Sequence, residues 1–433
     1  MALANEPTIQ QTSAEGLAYA SLNPQVKEQL ANDKTFLKNL VDFLSKAEAR
    51  SSDTYGGLVI LVNITSYLPR IDEKQKKITE LRAYASGSKH LPPDQDPLNL
   101  APHVEERCRA VFKADVVPVL SSHSYASSPT CLNLIAQILN SLSSIKELRG
   151  PMTQQGAVKL LLYIHKTLPA EDREGRNIAA HALARILISI NPLHIFGGSN
   201  PHPLHSAIAP LAGLLKLDPN AEYHDLLLPF EALMALTNLA SIEDDAREVI
   251  IRLAWDDIDE LMLHNKDEIC RASTQLVCNL MPEVAGMAKF CDGTAKARNR
   301  LQILLALTDS KDRETRLAAG GAVSVLTQWD VGVRCILEQQ KGVGFVLNMC
   351  TEPEEEMRHR GVVCVHNMLE APGDAGQLAL LKLKEEGAVD KIKETLKLSR
   401  SQEVLEIAVE CLKHLLGGGS GHLLTEHEAA TAA

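Results

Sequence analysis

The sequence predicts an all-α, armadillo/HEAT-like right-handed superhelical solenoid, and three observations carry that prediction. Apolar residues recur at helical spacing almost throughout, alternating strand patterns are missing, and two motifs return at intervals near 40–50 residues. The spacing i, i+3, i+4, i+7 is clearest over 26–44, 128–142, 176–190, 224–240 and 403–416. A helix shows this pattern when one face packs on a neighbour. Composition agrees: 45% of the 433 residues are hydrophobic but only 4% aromatic, so the core is expected to be aliphatic and helical. Turn chemistry marks the breaks, at Asn191-Pro192, Met281-Pro282 and Ala371-Pro372-Gly373. Two longer connections are expected, at 83–102 and 191–205, and the glycine-rich sequence after Leu416 reads as a frayed tail.

The repetition appears in two registers. A polar residue, a glycine and a small apolar residue lead into an aliphatic helix at Gln155-Gly156-Ala157, Lys341-Gly342-Val343 and Glu386-Gly387-Ala388. Separately, the ends of long aliphatic helices fall at Asn140, Ile188, Asn238, Asn279, Gln328, Asn367 and His414, with spacings between 39 and 50. A period in this range, with two or three helices per unit, is that of armadillo and HEAT arrays. Such units cannot bury their apolar faces alone and therefore stack. The third helix of each would line a concave groove. In 224–242, Leu233, Leu236 and Ala240 share the core stripe, while Glu231, Ala235, Asn238 and Ile242 are expected on the opposite side.

Charge and motifs exclude several function classes. The net charge of −11 disfavours nucleic-acid and anionic-membrane partners, which require a basic face. No run approaches the length of a membrane span, and the N-terminus MALANEPTIQQ lacks the pattern of a signal peptide. Nine scattered cysteines without a CxxC pair read as reduced, mostly buried thiols. A cytoplasmic location follows as an expectation. No phosphate-binding loop, nucleophile elbow or HExxH motif occurs, so no enzyme activity and no cofactor are expected. His194, His202 and His205 share a loop and are read as incidental, not as a metal site. Glu352, Glu354, Glu355 and Glu356 are read as a solvated first helical turn that complements the helix dipole.

Asn140, Asn238, Asn279 and Asn367 admit two readings. Each amide either satisfies backbone groups of a neighbouring turn or joins a ladder that hydrogen-bonds a ligand's main chain. Arg271 and Arg360, near the starts of their groove helices, are either solvated charges or partner contacts.

Several stretches resemble a known family. They are EGLAYASLNPQVKEQL (15–30), YGGLVILVN (55–63), LRGPMTQQGAVKLLL (148–162), FEALMALTNLAS (230–241) and RASTQLVCNLMP (271–282). Together they resemble the UCS-domain myosin chaperones over about 15–416, either in the fungal form without a tetratricopeptide domain or as a fragment holding the neck and UCS regions. The resemblance implies helices of a neck over 1–110, a UCS armadillo domain over 111–416 and a tail over 417–433. It implies a chaperone that engages the myosin motor domain through the groove, with any link to heat-shock protein 90 indirect and self-association open. Carried over by motif, the partner-binding residues would be Tyr55 and Asn63 in the neck, with Glu231, Asn238, Arg271 and Asn279 in the UCS signatures. Arg360 and Asn367 are added as equivalent groove positions. A transport or scaffold adaptor binding extended peptides is the alternative. Its tryptophan ladder, however, is not matched by Trp255 and Trp329, neither of which precedes an asparagine by four residues.

Overall fold

The computed structural model describes residues 7–69, 77–78, 96–125, 127–197, 203–217 and 225–417. Most of the expected 83–102 connection, the tail from 418 onward, His202 and His224 lie outside the described residues. The chain divides into two compact units, Met1–Ala254 and Trp255–Ala433. Among the described residues every regular element is helical.

Nine helices form the backbone of the architecture and are labelled α1 to α9 here. In the first unit they are α1 (Pro7–Ala20), α2 (Ser52–Thr65), α3 (Pro129–Ser143), α4 (Arg173–Ser189) and α5 (Leu227–Ala240). Each packs on the next. In the second unit α6 (Asp267–Leu280), α7 (Arg313–Leu326), α8 (Glu355–Glu370) and α9 (Gln402–Leu415) make a second such row. Two shorter helices precede most row helices. Lys146–Gln154 and Ala157–Thr167 come before α4, and Asp330–Glu338 and Gly342–Met349 before α8. The repeating unit is thus three helices, the armadillo arrangement.

Local chemistry starts these helices where the sequence places them. Ser51, Ser128, Asp172 and Asp312 each accept a hydrogen bond from a first-turn amide of α2, α3, α4 and α7, satisfying one of the unpaired donors at a helix start. The row helices then bury their stripes: Leu233, Leu236, Leu239 and Ala240 of α5 are 0% exposed. Ala235, expected on the groove side, is also fully buried. The reason is lateral, because α4 lies against the flank of α5.

The glycine motif marks the joint between the first and second helix of a unit. Gly156 and Gly387 have φ of +87° and +79° and close turns onto Thr153 O and Lys384 O, conformations that cost an L-residue side-chain strain. At the third copy the left-handed residue is Lys341 (φ +62°), one position before the glycine. Gly342 is needed for a different reason. A Cβ there would stand 2.1 Å from the carbonyl oxygen of Ile336. Asp115 (φ +59°), ahead of the helix Val116–Ser124, makes a further joint that carries no glycine and so escaped the motif.

The expected loop at 191–205 is partly helical, with Pro192–Phe196 and a 3-10 turn at Leu204–Ala207. All nine cysteines are free, and Cys108, Cys131, Cys291, Cys350, Cys364 and Cys411 are buried. The acidic run is not simply solvated. Glu355 accepts from the backbone amide of Ser401 at the start of α9 (3.2 Å), and Glu354 accepts from Arg316 of α7 (2.9 Å). These carboxylates satisfy the neighbouring unit's donors, which no linear reading of the run reveals.

Two substitutions separate the two uses of glycine. Gly342→Ala should lower the unfolding free energy by about 1–3 kcal/mol through overpacking, and Gly387→Ala by about 1 kcal/mol through left-handed strain. Urea denaturation followed by circular dichroism measures both.

Candidate partner-binding site

The polar residues near row-helix ends reach sideways to the preceding row helix. Asn63 Nδ2 of α2 donates to Ala18 O (3.0 Å) and Ser21 Oγ (2.9 Å). Asn238 Nδ2 of α5 donates to Leu187 O (3.0 Å) and Ile188 O (3.2 Å) of α4. Asn367 Nδ2 of α8 donates to Thr327 Oγ1 at the end of α7 (3.1 Å). Asn140 accepts through both its side-chain and backbone oxygens from Arg185 Nη1 (3.0 and 3.1 Å). The last carbonyls of a helix have no intrahelical donor, and Asn63, Asn238 and Arg185 supply one from the next unit. For Asn63, Asn238 and Asn367 the amide hydrogens are engaged within the chain. Asn279 sits half-buried at the equivalent place in α6.

The two arginines behave alike. Arg271 of α6 makes a forked pair with Asp312, the residue capping α7, at 2.9 and 2.6 Å. The Arg271 guanidinium holds the Asp312 carboxyl down at about 2, against the opposing push of partial burial. Arg360 donates to the backbone oxygen of Leu317 in α7 and to Glu356 (2.6 Å). Tyr55 of α2 is 48% exposed and is the most accessible of the nominated residues that the structure places.

Glu231 belongs to a cluster that sequence reasoning assembled only in part. His181 Nε2 lies 2.5 Å from Glu231 Oε2, and Arg185 Nε donates to the same oxygen at 3.0 Å. Arg185 continues to Ser144 Oγ (2.9 Å), while Arg149 donates to Ser143 O (2.7 Å) and Ser189 Oγ (2.6 Å). Burial pushes the Glu231 carboxyl up, but the bond from His181 and the Arg185 guanidinium outweigh it and hold the group ionised below its usual range. Burial drives the His181 pKa down, so it donates as a neutral imidazole. Burial likewise lowers Arg149. His181 and Arg185 stand four apart in α4, on one face, 50 and 46 residues before Glu231. That offset is the repeat period, and it is the signal by which the pair was findable.

These groups line one wall of a cavity of about 650 Å³ formed by α2, α3, α4, α5 and the start of the helix Ala101–Lys113. Val62, Leu100, Ile178 and Leu228 give it aliphatic surface, and Gln137, Ser141 and Glu105 give it polar surface. Tyr67 presents an enclosed hydroxyl there, beside the Cys108 thiol. Such a wall suits a segment offering both main-chain polar groups and apolar side chains. Trp255, by contrast, is 3% exposed and packs edge-on against Phe290, so no groove tryptophan stands there.

Row helices bonded laterally at one repeat period, most of them behind two shorter helices, define an armadillo-type α-solenoid. No family profile matches the chain. Pairwise comparison is more informative. The chain is 34% identical over 359 residues to ring assembly protein 3 of Schizosaccharomyces pombe, covering 82% of this chain and 46% of that protein. The solved structure of UNC-45 from Drosophila melanogaster superposes with a TM-score of 0.78 at 28% identity, covering 96% of this chain and 50% of that one. The myosin chaperone UNC-45 from C. elegans, solved in complex with a Hsp90 peptide, shares the fold with a TM-score of 0.76 at 22% identity, covering 95% of this chain and 42% of that one. Ring assembly protein 3 and UNC-45 are homologues of this chain, and their UCS-type fold is the one it adopts. It spans half or less of the length of these relatives.

The lateral bonds predict stability effects. Asn238→Ala should cost about 1–2 kcal/mol, the price of unpaired α4 carbonyls. Glu231→Ala should cost about 3–5 kcal/mol, since Arg185 is left buried without its counter-charge. Both are read by chemical denaturation.

The titrations set a pH window. His181 and His165, the latter pushed down to about 4 by burial and then by Arg176, have folded pKa values below their unfolded ones. The stability linked to them is present above about 6.5 and is lost as pH falls towards their folded values. The depressed Glu231 adds a further loss below about 4.3. Unfolding free energy measured from pH 8 to pH 4 should therefore decline most steeply below about 6.5.

Proposed function

We propose that this chain is a myosin-specific chaperone that engages partly unfolded motor domain and supports its folding and actomyosin function. The observation that carries the reading is the first-unit cavity. It joins a rigid wall of buried, mutually bonded charges to aliphatic surface and an enclosed phenol, a mixture that suits an exposed, half-folded protein segment. The C. elegans relative is described as a myosin chaperone, and the family fold extends over nearly the whole chain.

In this reading Glu231, Asn238 and Asn63 contribute by fixing the wall, since their polar atoms already hold neighbouring helices. Tyr55, Arg271, Asn279, Arg360 and Asn367 are the second set of proposed contacts, reached through edges and carbonyls that intrachain bonds leave over. The helices before about residue 111 serve as the neck and those up to 416 as the client-binding array. The chain works in the cytoplasm, without enzymatic chemistry or cofactor of its own, and any cooperation with heat-shock protein 90 is indirect. Among the described residues no helix is long and apolar enough to cross a membrane.

The test places substitutions on the cavity rim, away from the structural bonds. Leu100→Asp with Gln137→Trp removes an apolar contact and fills space at the cavity. Complex formation with a purified myosin motor should weaken at least ~10-fold, and suppression of its thermal aggregation should be lost while helicity is retained. Unchanged binding and protection would overturn the reading.

A further inference from the structure

The second unit brings two thiols into contact. Cys291 ends the helix Val284–Cys291, and Cys335 lies within the helix Asp330–Glu338. These are the first helices of two successive three-helix units, ahead of α7 and α8, and they pack on each other. The two residues are 44 apart (335 − 291), one repeat period, so stacking joins side chains that the linear sequence separates. A hydrogen bond links the thiols. Close by, Gln339 Nε2 donates to Arg298 O (3.0 Å) across the same joint and helps hold the two units in register.

The pair differs from the other cysteines. Cys108, Cys131, Cys350, Cys364 and Cys411 are at most 4% exposed. Burial raises the thiols of Cys108, Cys350, Cys364 and Cys411, and it raises half-buried Cys270 and Cys278 as well. Cys335 moves the other way. The bond from Cys291 lowers it, against burial, and the Arg298 guanidinium helps. Cys291 is held up, first by that bond, in which it keeps the proton, and then by burial. A half-exposed thiol shifted towards thiolate suits the attacking cysteine of an exchange reaction, and a buried thiol bonded to it suits the resolving one.

We propose that Cys335 and Cys291 form a reversible disulfide that clamps two repeats of the second unit together, made by exchange with a small-molecule disulfide such as glutathione disulfide. The Cys335 thiolate attacks one sulfur of the oxidant, whose S–S bond breaks, and one small thiolate leaves. Cys291 then loses its proton and attacks the Cys335 sulfur of the mixed disulfide, expelling the second small thiolate. Two protein thiols are oxidised, the small disulfide is reduced to two thiols, and the two protein protons end on them. A covalent bond of about 2.05 Å replaces a contact between sulfurs. It closes the chain between 291 and 335 into a loop, which restricts the unfolded state. Oxidation thus locks the joint between the units of α7 and α8, and reduction frees it. At the next joint Asp374–Glu385 packs on Asp330–Glu338 and carries no cysteine, so the lock belongs to this joint.

The experiment equilibrates the full chain in buffers of graded reduced-to-oxidised glutathione ratio, then quenches, alkylates and maps the cysteines by mass spectrometry of proteolytic peptides. A Cys291–Cys335 linked peptide should form ahead of any other and vanish in dithiothreitol. The linked protein should unfold at higher urea, with an unfolding constant at least ~10-fold smaller. Cys291→Ser, which lacks the resolving thiol, should retain one glutathione on Cys335, and Cys335→Ser should leave Cys291 reduced. The map of the parent decides the matter without either variant. A folded parent, checked by circular dichroism, that forms no such link in excess oxidised glutathione, or links its cysteines without preference for this pair, overturns the disulfide. A link that leaves the urea midpoint unmoved overturns the clamp. The readouts are covalent linkage and stability, so the outcome is separate from client binding.

Discussion

The constraint behind this molecule is that a row helix cannot be completed by its own unit. Its apolar stripe needs the flank of the next row helix, and its final carbonyls need donors that the helical ladder cannot provide. Asn63, Asn238 and Arg185 meet the second need across 45, 50 and 45 residues of sequence. Between the shorter helices Thr395 acts in the same way, donating to Cys350 O at the end of Gly342–Met349 (2.7 Å) over 45 residues. Arg107, 1% exposed, donates to Ile64 O of α2 (2.8 Å) while pairing with Glu28. Each bond is worth only about 1 kcal/mol net, yet leaving a buried carbonyl unpaired costs more. Stacking is thus enforced as much by the penalty for a missing neighbour as by the gain from its presence.

The same economy shapes the candidate site. His181, Arg185 and Glu231 are charged or polar groups held inside a helical stack, an arrangement tolerated only when every partner is in place. Their mutual bonds fix the cavity wall before any ligand arrives. A preformed wall spares the entropy of ordering long side chains on binding. In the proposed function rigidity and recognition come from one set of contacts, while the bonds of Glu231 and Asn238 to α4 make those residues part of the frame.

The row position is also where units diverge. It holds asparagine in α3, α5, α6 and α8, and histidine in α9. An asparagine there can only hydrogen-bond, whereas His414 brings a titratable ring and faces Glu370 of α8 at 3.1 Å. Repetition supplies the geometry, and a change of one side-chain type at a fixed rung supplies new chemistry.

Sequence alone determined the class of fold, because apolar periodicity and the 39–50-residue recurrence are properties of the linear chain. It located the rungs, the cores of α3, α4 and α5, and the glycine joints at Gly156 and Gly387. It misplaced Ala235 and missed the joint at Asp115, where φ is positive without a glycine to announce it. Only tertiary structure decided how the rungs are used: Asn238 bonds to α4, Arg271 to Asp312, and Glu355 to the start of α9. Those partners are some 40–50 residues away, and which neighbour a polar side chain meets depends on lateral packing that helical periodicity does not encode.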